Sequence, residues 1–262
     1  DDHLNNYFRQ KFIYEYMNWE IPTYAHIPLI HGEDGSKLSK RHGAVNLIDL
    51  KKQGYLPEAI INNLILLGWS PKKDEDELIQ LNNIISIFNI KDLSKSASIF
   101  SYKKLDYFNN YYLRQEQNLE LFIKYCKSNI KLQKYIEKDE KKLIRIFNIY
   151  KKDISKYEEI INVAEIYFNS NFETLKNEIF HQEFNNCFNK FLNLINSIKN
   201  WEYDVINSEI KEFLKKNNLK FPILGKPIRF LLTNNYNGPS ITDIFVILGK
   251  EQSIKRLNKY KV

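Results

Sequence analysis

Cysteine is almost missing from this chain: two in 262 residues, Cys126 and Cys187, far apart and neither in a Cys-x-x-Cys pair nor near a histidine cluster. That scarcity excludes a disulfide framework and a structural zinc site, and it suits a reducing cytoplasm. Glycine and proline are sparse as well, eight and seven, and neither occurs between Glu116 and Pro222. A stretch of that length without either residue has little chance of being a turn-rich β fold. No apolar run approaches the ~20 residues needed to span a bilayer. The opening "DDHLNNYFRQ" has none of the layout of a signal peptide and reads as the middle of a longer protein.

What is abundant is aromatic and aliphatic surface. Hydrophobic residues make up 43%, with 17 tyrosines and 17 phenylalanines, enough to fill several helical layers and too many for a disordered chain. The length favours more than one folded unit. The net charge of +7 admits a nucleic-acid partner. It does not require one, because lysine, asparagine, isoleucine, tyrosine and phenylalanine are enriched throughout, as an AT-rich coding sequence would produce, and the lysines are interleaved with acids.

Hydrophobic periodicity predicts the following order. "DDHLNNYFRQKFIYEYM" places Leu4, Phe8, Phe12 and Tyr16 on one helical face behind an aspartate that can cap it. "TYAHIPLIHG" alternates around a proline and reads as a short strand or extended edge. "VNLIDLKKQG" is a short helix ending at Gly54, and "LPEAIINNLILLGWSP" a stronger one, with Pro57 in its first turn and Gly68 as its stop. "LIQLNNIISIFNI" is helical, "DLSKSASIF" a serine-rich turn, and Lys103 to Tyr112 another helix. From Glu116 helical periodicity runs on through Phe122, Ile123, Cys126, Leu143, Ile144 and Phe147. Turn signals return at Phe221-Pro222 and Asn237-Gly238-Pro239, after which Ser240 or Asp243 can cap a last pair of short helices broken at Gly249. No repeat of fixed period is present.

The residues that carry chemistry lie in "GSKLSKRHG", Gly35 to Gly43. Two lysines three apart on a flexible, glycine-bracketed loop can close over a polyphosphate, since ammonium groups neutralise charge building on phosphoryl oxygens. Ser39 adds a hydroxyl and the backbone amides add donors. By itself a short basic run of this kind is more often a solvated loop. Its surroundings alter that judgement: "AHIPLIHGEDGSKLSKRHGAVNLIDLKKQGYLPEAIINNLILLGWSP" resembles the part of bacterial glutamyl-tRNA synthetases, class I enzymes, that carries the Lys-Leu-Ser-Lys-Arg form of the lysine signature. The resemblance continues through "DLSKSASIFSYKKLDYFNNYYLR" and resumes in "GKPIRFLLTNNYNGPSITDIFVILGKEQSIKRL", while 116–218 match in helical texture alone.

The resemblance implies a mainly α chain in three parts: the tail end of a Rossmann-type catalytic domain over 1–24, an α-helical stem-contact unit with the lysine loop over 25–115, and an all-α anticodon-binding domain over 116–262. It implies that Lys37 and Lys40 are catalytic, steadying ATP phosphates and departing pyrophosphate, and that Ser39 and Arg41 join them around ATP. Asp2 and His3 are implied as further ATP contacts, although a plain helix cap explains them equally well. The implied function is ATP-dependent attachment of glutamate to tRNA(Glu), with Mg²⁺ on the ATP and no zinc. Glutamate, ATP and tRNA are the partners, tRNA(Gln) is a further one left open, and a cytoplasmic monomer without membrane association is expected. The family's histidine signature and its glutamate pocket have no counterpart here, so this chain alone is expected to be inactive. "HIPL", His26 to Leu29, is similar to that histidine signature but has a proline where a backbone amide is needed, so His26 and His31 are read as structural. Arg145, Lys226 and Arg229 are the basic side chains expected on helical faces toward the anticodon arm. The alternative is a non-catalytic tRNA-binding module derived from a synthetase.

Overall fold

The computed structural model describes residues 3–38, 46–71, 76–115, 118–169, 171–173 and 180–260. Among them are twelve α-helices and a single pair of two-residue strands, so the chain is mainly α. It divides into two compact units, Asp1–Leu121 with Ser155–Glu158, and Phe122–Ile154 with Glu159–Val262.

In the first unit, α1 (Leu4–Tyr16) forms where the periodicity places it. Its N-cap is His3, which makes no side-chain cap bond, and the expected aspartate cap, Asp2, lies outside the described residues. No residue of α1 is buried, and Leu4, Phe8, Phe12 and Tyr16 are all exposed. The extended segment expected over "TYAHIPLIHG" narrows to β1 (Ile30–His31), which runs parallel to β2 (Ser98–Ile99). β2 falls in what reads as a serine-rich turn, because a two-residue strand whose partner is far along the chain leaves no local periodicity.

α2 (Leu47–Gln53) starts on Asn46, whose side chain accepts from the Ile48 amide at 2.9 Å, and stops at Gly54 in the left-handed conformation. Gly54 is required there twice over, since its φ is +90° and an added Cβ would sit 2.5 Å from Tyr157 Cβ. α3 (Pro57–Ile65) ends before Gly68. α3 packs on α5 (Tyr102–Leu113), with Leu56, Ala59, Leu105, Phe108 and Leu113 buried around them. The Leu56 amide donates to Asn109 Oδ1 at 2.8 Å, and Asn109 Nδ2 reaches the Ser155 carbonyl at 2.6 Å, which ties the returning segment Ser155–Glu158 into this unit. α4 (Leu81–Ile87) is shorter than its periodicity suggests and buries Ile84 against Trp69 and Ile79.

Among its described residues the second unit holds helices and no strand. α6 (Leu119–Ser128) leads into α7 (Ile130–Tyr150), which Asn129 caps and Asp139 kinks. α8 (Ile160–Phe168), α9 (Gln182–Ser197), α10 (Tyr203–Lys216), α11 (Phe221–Thr233) and α12 (Ile241–Leu257) complete it. Phe122 and Phe147 stack at 4.0 Å in its core. Ser240 caps α12 by accepting from the Asp243 amide at 3.0 Å, and its hydroxyl donates to the Asp243 carboxylate at 2.6 Å. Gly249, with φ 77°, breaks α12 where the sequence places the break.

Candidate functional site

The basic segment begins as a hairpin arm rather than a free loop. The Gly32 amide donates to the Ser36 carbonyl at 2.9 Å, the Leu38 amide to the Ile30 carbonyl at 2.9 Å, and Lys37 bridges His31 in antiparallel fashion. Asp34 closes the turn by accepting from the Ser36 amide at 3.1 Å, and Gly35 supplies the positive φ of 77°. β1 is thus held on both sides, by β2 and by the Ser36–Leu38 arm, and Lys37 projects from a fixed backbone. Ser39, Lys40 and Arg41, together with Asp2, lie outside the described residues.

Lys37 and His3 line one open cavity of about 580 Å³. Its walls come from one face of α1 (His3, Asn6, Tyr7, Gln10), from the extended run Tyr24–Ile30, and from Lys37 and Leu38. The α1 contribution follows from helix geometry, as positions i, i+3, i+4 and i+7 share a face. Asn6 Nδ2 lies 2.9 Å from His3 Nδ1, within hydrogen-bond distance. Tyr7 packs edge-on against Tyr24 at 4.7 Å and His26 at 6.2 Å. The Tyr24 phenol is raised above its ordinary pKa by desolvation first and then by the phenols of Tyr14 and Tyr7, so it stays a neutral hydroxyl around pH 7. A cavity of this size lined by aromatic rings, one ammonium and two imidazoles can hold a mixed aromatic and anionic ligand.

The sequence sets His26 apart as structural, yet its ring forms part of this wall. His31 serves β1, where its carbonyl accepts from the Phe100 amide at 2.8 Å. Of the basic residues expected on helical faces, Arg145 and Lys226 are exposed, whereas Arg229 is committed to its own turn, donating from Nε to the Pro239 carbonyl at 2.9 Å and from a terminal nitrogen to the Tyr236 carbonyl at 2.7 Å. Sequence reasoning missed Arg256. It is 2% exposed, one terminal nitrogen donates to the Ile166 carbonyl at 2.7 Å and to that of Asn169 at 3.2 Å, and the guanidinium lies 4.0 Å from the Phe172 ring centre. Burial lowers its pKa to about 10. Nothing in "SIKRL" separates such a residue from a surface charge, because its partners are distant in sequence.

Two family models match the chain: an anticodon binding domain over 90–261, and the catalytic domain of class I tRNA synthetases (E and Q) over 1–107. Among curated proteins, it is 35% identical over 258 residues to glutamate–tRNA ligase 2 of Wolbachia pipientis subsp. Culex pipiens, covering 98% of this chain and 56% of that protein. It is 36% identical over 267 residues to the glutamate–tRNA ligase of Mycoplasma mycoides, covering 98% and 54%. A crystal structure of glutamate-tRNA synthetase from Elizabethkingia anophelis superposes with a TM-score of 0.76 at 25% identity, covering 98% of this chain and 55% of that one. The chain therefore spans about half the length of the curated relatives it matches.

Proposed function

Since the chain belongs to the glutamyl-tRNA synthetase family, we propose that it serves a glutamate–tRNA ligase by holding ATP phosphates on its first unit and the tRNA anticodon arm on its second. The reaction has two steps. The carboxylate of glutamate attacks the α-phosphorus of ATP and releases pyrophosphate. The terminal ribose hydroxyl of tRNA(Glu) then attacks the adenylate carbonyl and releases AMP.

Lys37 and Lys40 act in the first step, each placing an ammonium where negative charge accumulates on the departing pyrophosphate. The His3 imidazole offers a ring nitrogen to a phosphate oxygen, and Ser39 and Arg41 add a hydroxyl and a guanidinium. Asp2 adds a carboxylate beside His3, suited to a hydroxyl or amine of the nucleotide. Mg²⁺ carried on the nucleotide's phosphates would supply further neutralisation of their charge. The three parts of the chain divide the work: 1–24 borders the nucleotide, 25–115 carries the lysine segment, and 116–262 meets the anticodon arm. Charging of tRNA(Gln) is the further substrate compatible with this family, and we assign the enzyme to the cytoplasm as a monomer.

The observation that carries this reading is the common cavity of His3 and Lys37, two residues 34 positions apart brought to one wall by α1 and the hairpin arm. Titration with a fluorescent ATP analogue tests it. Saturable binding displaced by ATP is expected, and Lys37→Ala should weaken it about tenfold or more, as loss of a charge-assisted contact does. Equal binding by Lys37→Ala and His3→Ala chains would remove the cavity from the site. In a chain of the relatives' full length, Lys40→Ala should slow pyrophosphate exchange about 10²-fold while tRNA affinity holds. Impaired tRNA affinity with unchanged exchange would reassign the segment to RNA contact.

A further inference from the structure

Backbone pairing fixes the hairpin arm of the first unit along Ile30, His31, Lys37 and Leu38. The turn that joins these two stretches is exposed from Glu33 to Ser36. Lys37 follows it directly, so the placement of the turn sets the point from which the Lys37 side chain starts. Within the turn, Glu33 reaches outside the arm: its Oε1 accepts from the Ser101 hydroxyl at 2.7 Å. The two residues are 68 positions apart in sequence, so this bond joins the arm to a separate element.

That element is α5, and Ser101 stands at its N-cap position without making a side-chain cap bond. A serine there ordinarily accepts from an amide two or three residues on. Here the hydroxyl donates to Glu33, and the Glu33 carboxylate comes to rest at the start of α5, the end of the helix that favours negative charge. α5 is a firm reference for the arm. Leu105, Phe108, Asn109, Tyr112 and Leu113 are buried along it, and Asn109 accepts from the Leu56 amide at 2.8 Å.

We propose that Glu33 and Ser101 are positioning residues for Lys37: their hydrogen bond refers the turn to the start of α5 and so aims the Lys37 ammonium along the wall of the first unit's cavity. Neither residue touches the ligand. An ammonium that must meet a phosphate oxygen acts only from the right place, and a misplacement of about 1 Å is costly. An exposed hydrogen bond of this kind adds little to global stability, so its contribution is to placement. The proposal rests on the reading of Lys37 as a phosphate contact and adds the pair that aims it.

The experiment titrates the full chain and its variants with an N-methylanthraniloyl derivative of ATP, read by fluorescence, alongside thermal melts. Glu33→Ala and Ser101→Ala should each weaken binding about three- to tenfold, the range for one hydrogen bond, with the melting midpoint moving less than about 2 °C. Glu33→Gln and Ser101→Thr keep the acceptor and the hydroxyl and should bind within about twofold of the parent. In a Lys37→Ala background Glu33→Ala should cost nothing more, because the pair acts through Lys37. Ser101→Asp separates capping from positioning: aspartate caps as well as serine but sets a second carboxylate against Glu33, so the melt should hold while binding weakens. Parent-like binding by Glu33→Ala and Ser101→Ala, with Lys37→Ala still weak, overturns the positioning role and leaves the cavity standing. Glu33→Gln as weak as Glu33→Ala, or an undiminished loss in the Lys37→Ala background, also overturns it, since Glu33 would then act by its charge or away from Lys37. Parent-like binding by Lys37→Ala itself would remove both the positioning pair and the reading beneath it.

Discussion

The two units bury their apolar periodicity very differently. In α9 of the second unit, Phe184, Cys187, Phe188, Phe191 and Ile195 follow helical spacing and all are buried. In α1 of the first, Leu4, Phe8, Phe12 and Tyr16 follow the same spacing and all are exposed, Tyr16 at 87%. Periodicity therefore reports that a segment is helical and which face is apolar, and burial is a separate fact supplied by neighbours. Further exposed apolar side chains at Met17, Trp19, Ile21 and Ile27 extend the α1 surface, an accumulation that marks contact surface rather than core.

That contrast breaks most sharply under truncation. Phe122→Ala removes a fully buried ring stacked at 4.0 Å on Phe147 and should cost about 3–5 kcal/mol in urea denaturation followed by circular dichroism. Phe12, 59% exposed, should cost less than about 0.5 kcal/mol on the same substitution. Comparable losses at both positions would mean that the α1 face is covered in solution. Arg256→Met comes next, at about 3 kcal/mol, because it strands the Ile166 and Asn169 carbonyls in the interior of the second unit.

Gly54→Ala tests the first unit's interior. A backbone at φ +90° strains any side chain by about 1–3 kcal/mol, and the contact with Tyr157 adds to that, so a thermal melt should fall by several degrees. Smaller still is the effect of pH on Cys126, whose thiol burial pushes up to about 12, with Glu140 adding to the shift. The unfolded thiol ionises near 9. Stability from this group is therefore full below pH 9 and falls as pH rises toward 12, because only the unfolded state has released its proton. Maleimide labelling at pH 8 should modify Cys126 only after unfolding.

How much was legible in the sequence follows the same division. The Gly249 break, the Ser240 cap and the Gly54 stop each depend on one or two adjacent residues, and each is readable without a partner. β2 depends on a partner 68 positions away and the inward turn of Arg256 on carbonyls 24 to 90 positions away, and neither leaves a local trace. In the candidate site, Lys37 and His3 are proposed from resemblance, and their common cavity leaves no trace in the sequence, because only the folded hairpin arm brings Lys37 to the α1 face. His26 was set aside because Pro28 disqualifies its motif, an argument about phosphate-binding amides that says nothing about lining a wall.

The division of labour between the units is tested most directly by nuclease footprinting of tRNA(Glu) with the chain over a range of salt concentrations. The account predicts protection of the anticodon arm that weakens steadily as salt rises, as displaced counterions require. Protection confined to the acceptor stem, with the anticodon arm cut as in free tRNA, would contradict it.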